Sequence, residues 1–278
     1  MIVKATAPGK LILFGEYAVL EGHSALVTAV DRYATAEYSA ADGLRVSAPS
    51  VGVYEPARDV NELPFIEAAL QESGEFTGHF IVDTEAFRES GTKLGLGSSA
   101  AATVAFVRAL RRVEAAPRDP CAVFTTAQNA HRVVQGVGSG ADVAASAFGG
   151  TIRYAWRPQT KGSLNEIDVV TRDGTARIAP VSGGLRQLLT VWSGQSASTT
   201  KLVNLINEFK AAQPREYQRA INALAEAAQE AQSAWSRCDR STLQMCAVAS
   251  TSALTTLGTA AGTPLVTDVH RTLIDIVG

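Results

Sequence analysis

The segment of this sequence best suited to bind an anion is Lys93-Leu94-Gly95-Leu96-Gly97-Ser98-Ser99-Ala100-Ala101. Glycines let the backbone approach a phosphate closely, and the free N–H groups at the start of the Ala-rich helix present positive partial charge to it. A side chain on Gly97 is expected to block that approach. The segment has neither the GxxxxGK[ST] order of a Walker loop nor the position of a dinucleotide-binding turn. Taken alone, it also fits a glycine turn that merely starts a helix.

Two further segments carry charged groups that suit phosphate chemistry. Gly138-Ser139-Gly140-Ala141-Asp142-Val143-Ala144 is a second glycine-rich turn into a short helix, where Asp142 could also serve only the helix dipole. Ala7-Pro8-Gly9-Lys10 carries a lysine that in isolation is most often a solvated surface charge. Together with the first glycine-rich segment, Lys10 supplies a cation for phosphoryl charge.

The elements that must position these residues form a mixed α/β half and a mostly helical half. Apolar and polar residues alternate as in strands over residues 3–7, 25–40, 44–48, 78–84 and 151–156, and helical patterns cover 99–113 and 119–135. A strand is predicted at 187–192. Helices are then predicted from Ser198 to before Pro214, over 216–237, from Asp239 to Gly258 and from Thr267 onward. Residues 158–165 and the turn at 182–184 bracket the predicted domain junction.

The composition excludes several classes of protein. The chain has 278 residues, 46% hydrophobic and 19% charged, with a mean hydropathy of +0.06, which is typical of a globular protein with a sizeable core. The net charge is −2 and the sequence has no basic run, so we expect that the protein binds neither nucleic acid nor a membrane. Three cysteines without metal-site spacing, and an N-terminus without a signal-peptide core, predict a cytoplasmic protein.

Three segments resemble the GHMP small-molecule kinases: APGKLILFGEYAVLEG, KLGLGSSAAATVA and GSGADVAASAFGG. They occur in that family's order within the first 150 residues. The resemblance implies a two-domain α+β fold, with an N-terminal domain like ribosomal protein S5 domain 2 over 1–182 and a ferredoxin-like C-terminal domain over 183–278. ATP and a small phosphorylated or hydroxyl acid would bind in the cleft between them, in a monomer or a homodimer.

The resemblance also implies roles for individual residues. Lys10 and Asp142 would be catalytic and face the reacting phosphate. The ATP phosphate loop would comprise Lys93, Gly95, Leu96, Gly97, Ser98, Ser99, Ala100 and Ala101, with Ser99 as the contact to Mg²⁺. The substrate site would be lined by Glu16, Tyr17, Ser139, Ser196 and Ser198.

One branch of the family is most similar to this sequence. The segments EYAV at 16–19, GSGADVAAS and WSGQSAST at 192–199 look like those of phosphomevalonate kinases, whereas mevalonate kinases usually show His in the place of Tyr17. The resemblance therefore implies ATP-dependent phosphorylation of 5-phosphomevalonate to its diphosphate. A hydroxyl acceptor, such as mevalonate or a sugar, is the alternative.

Two departures from the family pattern bear on these expectations. Mevalonate kinases carry a magnesium-binding Glu on the helix before the second glycine-rich turn, and His131 stands at the corresponding place here. The family's third glycine-rich motif is absent from the sequence, which ends with IDIVG. A weakly active or inactive nucleotide-binding protein is therefore the third hypothesis.

Overall fold

The computed structural model describes residues 2–49, 51–158, 166–184, 188–194 and 199–277. The strands in these ranges are β1 (Ile2–Phe14), β2 (Ser24–Ser39), β3 (Leu44–Ala48), β4 (Gly52–Glu55), β5 (Val60–Asn61), β6 (Gly78–Asp83), β7 (Arg88–Glu89), β8 (Thr92–Lys93), β9 (Thr151–Trp156), β10 (Ile167–Thr171) and β11 (Gly174–Pro180). The helices are α1 (Pro64–Ser73), α2 (Ser98–Val113), α3 (Pro120–Gln135), α4 (Ala141–Phe148), α5 (Thr199–Ala212), α6 (Pro214–Ser236), α7 (Arg240–Ala260) and α8 (Asp268–Val277).

Nine of the strands form one sheet. The strand order is β10-β11-β9-β2-β6-β3-β4-β5, with β1 paired to β2, while β7 and β8 form a separate ribbon. Strand β1 runs antiparallel to β2 from Ile2 opposite Ser39 to Phe14 opposite Leu26, and its register shifts between Pro8 and Lys10. This irregularity is typical of a β-bulge, which re-aims side chains next to functional sites.

Helices cover both faces of the sheet near the end of β1. Successive strand residues point to opposite faces, so Ala25 and Val27 join the core formed with α2, α3 and α4, whereas Leu26 packs with Trp235 of α6. Within α2, Phe106 and Leu110 are fully buried. Burial of each such side chain contributes about 1.5–3 kcal/mol, so the core holds the helix that follows the first glycine-rich segment firmly in place.

Two predicted helix caps, Asp119 and Asp239, are confirmed, but one predicted helix end is wrong. The side chains of Asp119 and Asp239 accept hydrogen bonds from the N–H groups of Ala122 and Thr242, each at 3.1 Å, as N-caps do. Helix α7 does not stop at Gly258. A Cβ there would lie 2.6 Å from Thr263 O, so Gly258 permits the returning chain to pack closely and does not end the helix.

The chain beyond β11 differs from the prediction. Residues 188–192 are not in a strand, and the described residues after Pro180 contain α5 to α8 and no strand. They therefore show only the helical layer of the predicted ferredoxin-like domain. The predicted junction segment falls largely on 159–165, outside the described residues, and the boundary at residue 182 stays a prediction. None of the helices described is both long and apolar enough to cross a membrane.

Candidate active site

The first glycine-rich segment forms a loop that leads into α2. Gly95 and Gly97 both have φ +77°, a conformation open to glycine but strained for other residues, and Gly97 is the N-cap of α2. The side chains of Lys93 and Ser99 are exposed, whereas those of Ala100 and Ala101 are buried in the core. The N–H of Ala101 already donates to Gly97 O, so the preceding N–H groups at the helix start remain to bind an anion.

Backbone contacts hold this loop against the bulge of β1. The N–H of Lys10 donates to Leu96 O at 2.9 Å, and the N–H of Leu94 donates to Phe87 O at 3.0 Å. A Cβ on Gly9 would overlap the Phe87 ring and lie 2.5 Å from Leu96 O. The glycine before Lys10 is therefore required for the strand and the loop to meet.

Gly97 lies where the three predicted segments converge. A Cβ built on it would be 3.2 Å from Lys10 Cγ and 3.7 Å from Asp142 Cβ. The structure thus brings Lys10, Gly97 and Asp142 together across 132 residues of sequence, from position 10 to position 142. A side chain on Gly97 would also press on Lys10, whereas the Cβ of Gly95 would face open space.

Asp142 lies in the first turn of α4, which begins after Gly140. Its Oδ1 accepts a hydrogen bond from Val143 N at 3.0 Å, and its half-buried carboxylate keeps access to solvent. The neighbouring Ser139 is buried, and its hydroxyl accepts from Ala141 N at 3.3 Å. The Ser139 hydroxyl can still donate its own proton, so the predicted substrate contact of Ser139 stays a prediction.

His131 is buried beside the predicted metal contact. Its Nε2 is 3.5 Å from Ser99 Oγ, and its ring stacks on Phe65 with the centroids 4.7 Å apart. Burial lowers the pKa of His131, an effect that the charge of Asp142 partly opposes. The imidazole is therefore mainly neutral at pH 7, so it does not repel a cation bound nearby.

The oxygen donors near His131 fit a magnesium ion that takes most of its ligands from phosphate and water. Mg²⁺ in kinases is commonly held by one or two protein oxygens in addition to these. Ser99 Oγ and the Asp142 carboxylate provide such oxygens, and the buried Gln128 Oε1, which has no hydrogen-bond partner, lines the same small cavity of about 80 Å³ as Asp142 and Lys10. The described residues hold no cluster of three His, Cys, Asp or Glu side chains that could bind a metal unaided.

Glu16 and Tyr17 line a much larger cleft of about 1900 Å³, which Gly95 and Leu96 border as well. Trp235 and residues 263–265 and 267–270 line it from the helical half. Glu16 Oε2 is buried and has no hydrogen-bond partner. Burial raises the pKa of Glu16, against the effects of a backbone hydrogen bond and the charge of Lys10. Burial and the charge of Glu16 raise the pKa of Tyr17 to about 12.

Some predicted residues could not be placed, and one further residue emerges only from the structure. Ser196 and Ser198 lie outside the described residues. Gln128 is 3% exposed and lines the small cavity, and its Oε1 has no hydrogen-bond partner. Nothing in the surrounding sequence identifies it as a site residue. Its proximity to Gly140, whose Cβ would overlap the Gln128 amide, is a property of the packing between α3 and α4.

Comparison with known proteins identifies a family for part of the chain. Residues 65–150 match the GHMP kinases N terminal domain. This chain thus carries a GHMP kinase N-terminal domain. Within this family it is 36% identical over 153 residues to mevalonate kinase of Methanothermobacter thermautotrophicus, a match covering 53% of this chain and 48% of that protein. It is 32% identical over 240 residues to phosphomevalonate kinase of Streptomyces sp. strain CL190, covering 71% of this chain and 63% of the relative.

A solved structure supports the same GHMP kinase fold. Phosphomevalonate kinase of Streptococcus pneumoniae, in complex with phosphomevalonate and AMPPNP, superposes with a TM-score of 0.75 at 20% identity, covering 93% of this chain and 81% of that one. The predicted α+β GHMP kinase fold is therefore confirmed. The chain spans about half the length of the mevalonate kinase it matches and less than two thirds of the Streptomyces relative.

The two loop glycines provide a matched pair of variants. Gly95→Ala and Gly97→Ala impose the same backbone strain, about 1–2 kcal/mol, because both positions have φ +77°. We expect similar losses of thermal stability from the two. Only Gly95→Ala should weaken ATP binding in calorimetry, by about tenfold, or ~1.4 kcal/mol, because its methyl group enters the open space of the cleft. Gly97→Ala should instead leave ATP affinity intact, displace Lys10 and lower kcat. Equal effects of the two changes on ATP affinity would contradict this assignment.

Proposed function

We propose that this GHMP kinase transfers the γ-phosphoryl group of ATP to the phosphate of 5-phosphomevalonate and forms 5-diphosphomevalonate. The observation that carries the proposal is the convergence at Gly97 of a lysine, a carboxylate and the anion-binding start of α2. Phosphoryl transfer needs little covalent help from a protein and depends on positioning and charge stabilisation. A cation, helix N–H groups and an orienting carboxylate in one place provide both.

Each part of the site has a role in the proposed reaction. The loop from Lys93 to Ala101 would hold the ATP phosphates through its N–H groups, and Ser99 and Asp142 would hold Mg²⁺, which supplies neutralising charge at the β- and γ-phosphates. An acceptor oxygen forms a bond to the γ-phosphorus as the bond from that phosphorus to the ADP oxygen breaks, and the electron pair leaves with ADP. Lys10 would stabilise the charge shared between donor and acceptor during this step.

The charge of the site favours an anionic acceptor. A phosphomonoester is largely a dianion at neutral pH, so it requires few negative groups around it. The side chain 3.5 Å from Ser99 Oγ is that of the buried His131, which is not an acid, and the raised pKa of Glu16 favours the neutral form of this carboxyl group.

Mevalonate is the second candidate acceptor. The observation in its favour is the 36% identity to a mevalonate kinase over 153 residues, against 32% over 240 residues to the phosphomevalonate kinase. With this acceptor, Asp142 would lie in position to take the hydroxyl proton as a general base. The two candidates thus use the same transfer site and differ in what Asp142 must do.

An acceptor panel tests the proposal. ADP release is measured with 5-phosphomevalonate, mevalonate, a sugar and no acceptor, over a range of concentrations that yields kcat/KM for each. We expect kcat/KM for phosphomevalonate to exceed that for mevalonate by about 10²-fold or more. Mevalonate lacks the acceptor phosphate and would leave the polar groups that contact this phosphate unpaired. A preference for mevalonate would replace the proposal with the second candidate. ATP binding without transfer to any acceptor would reduce the protein to a nucleotide-binding one.

A further inference from the structure

A charged cluster far from the transfer site joins the two halves of the chain. Glu21 ends the short 3₁₀ turn Ala18–Glu21, which follows Tyr17. Its carboxylate accepts hydrogen bonds from Lys210 Nζ, at 2.7 and 2.8 Å, and from the Tyr217 hydroxyl, at 2.8 Å. Lys210 Nζ also lies 5.4 Å from the centroid of the Tyr217 ring, within the range of a cation–π contact. Lys210 belongs to α5 and Tyr217 to α6, so one carboxylate fastens the turn to both helices.

Apolar packing seats the same turn in the helical half. Ala18 is fully buried in a cluster otherwise made of helical residues, among them Ile206, Tyr217 and Leu257, and Tyr17 packs against it. The methyl group of Ala18 thus holds the turn in the apolar cluster, and the carboxylate of Glu21 holds it to Lys210 and Tyr217. Partial burial opposes ionisation of Glu21, but the hydrogen bonds from Lys210 and Tyr217, together with the charges of Lys210 and His23, lower its pKa overall.

The residues immediately before the turn line the cleft. Tyr17 has φ +60°, which an L-residue keeps only where its surroundings enforce it. Gly15 is held against β2, where a Cβ would lie 2.8 Å from Ala25 Cα. The chain is therefore fixed at Gly15 by the sheet and at residues 18–21 by the helices. The contacts at these two anchors therefore set the position of the backbone at Glu16 and Tyr17.

We propose that Glu21, Lys210 and Tyr217 are positioning residues that act through the Ala18–Glu21 turn to set the place of Glu16 and Tyr17 at the acceptor side of the cleft. This rests on the proposed function, because it assigns Glu16 and Tyr17 to the acceptor. The cluster itself does not touch the acceptor. Stability is not its main contribution, because the Lys210 side chain is 45% exposed and exposed ion pairs contribute little to it.

The kinetic test compares three variants. Lys210→Met removes the cation and keeps the length of the side chain, and Lys210→Arg restores the charge. Arg219→Met breaks another exposed ion pair, to Glu216 at 3.0 Å, on the same helix as Tyr217. We expect KM for the acceptor to rise about tenfold in Lys210→Met, with KM for ATP within about twofold of wild type. Lys210→Arg should recover most of the loss, and Arg219→Met should match wild type.

Hydrogen exchange provides a readout that needs no activity. The amides of Val19 and Leu20 donate to Gly15 O and Tyr17 O, so their exchange reports on the turn. They should exchange about tenfold faster in Lys210→Met than in wild type and be unchanged in Arg219→Met. Unchanged exchange in Lys210→Met would overturn the proposal, and so would faster exchange with an unaltered acceptor KM. If the wild-type protein phosphorylates no acceptor, the proposed function fails on its own, and the exchange rates alone then decide whether the cluster holds the turn.

Discussion

Replacing Lys10 by Met should lower kcat about 10²-fold while KM for ATP changes by no more than about threefold. The reason is that a cation placed between donor and acceptor interacts most strongly when negative charge is shared between them. A 10²-fold fall corresponds to about 2.7 kcal/mol of lost transition-state stabilisation. The fold should survive, because the contacts that fix the strand here are the Lys10 N–H to Leu96 O hydrogen bond and the packing of Gly9, neither of which uses the side chain.

A second lysine of the same strand serves as the control. Lys4 pairs with Glu37 at 2.7 Å on the exposed edge of β1, well outside the residues that line either cavity. Lys4→Met should therefore leave kcat and KM at their wild-type values. Steady-state kinetics give kcat and KM for both variants, and thermal melts compare their stability. A folded Lys10→Met protein with the kcat of Lys4→Met would show that Lys10 is a surface cation.

Asp142→Asn should have an effect that depends on the acceptor. The change removes the charge and basicity and keeps an oxygen that can accept from Val143 N, so the start of α4 should remain intact. A hydroxyl acceptor has a proton to lose, and a general base for it is worth roughly 10²- to 10⁴-fold in rate. A phosphate acceptor, whose second pKa is about 6, becomes a competent nucleophile without help as the pH rises.

The pH dependence separates the two roles. With phosphomevalonate, the loss of kcat/KM caused by Asp142→Asn should shrink between about pH 6 and pH 8, because the acceptor sheds its last proton unaided over that range. With mevalonate, the loss should stay large throughout, since an alcohol remains protonated. A pH series of kcat/KM for wild type and variant with both acceptors makes the comparison. A large, pH-independent loss with phosphomevalonate would contradict the orienting role assigned to Asp142.

The backbone geometry of the first glycine-rich segment can be predicted from the sequence because its residues form a local pattern. Glycines at 95 and 97 before an Ala-rich helix specify a turn with positive φ and a free helix start, and both are found. The capping residues Asp119 and Asp239 likewise determine helix starts through hydrogen bonds that span three residues. Such short-range rules do not require knowledge of the fold.

The features that sequence analysis misses depend on contacts between distant segments. Gln128 becomes a cavity residue only because α3 packs beside the turn at Gly140. Glu21 and Lys210 are 189 residues apart, and no local pattern links them. Gly258 predicts a helix end because glycine often occurs there, whereas the tertiary approach of residues 263–265 is what requires a glycine at this position.

The most direct test of the proposed reaction is ³¹P NMR of the product that forms from ATP and 5-phosphomevalonate. Transfer to the acceptor phosphate creates a P–O–P linkage, so the account predicts two mutually coupled phosphorus signals that grow as the phosphomevalonate singlet disappears, in step with ADP. Transfer to a hydroxyl of the same molecule would instead yield two uncoupled monophosphate signals. Either that pattern, or an unchanged phosphomevalonate signal in the presence of folded protein and bound ATP, would contradict the account.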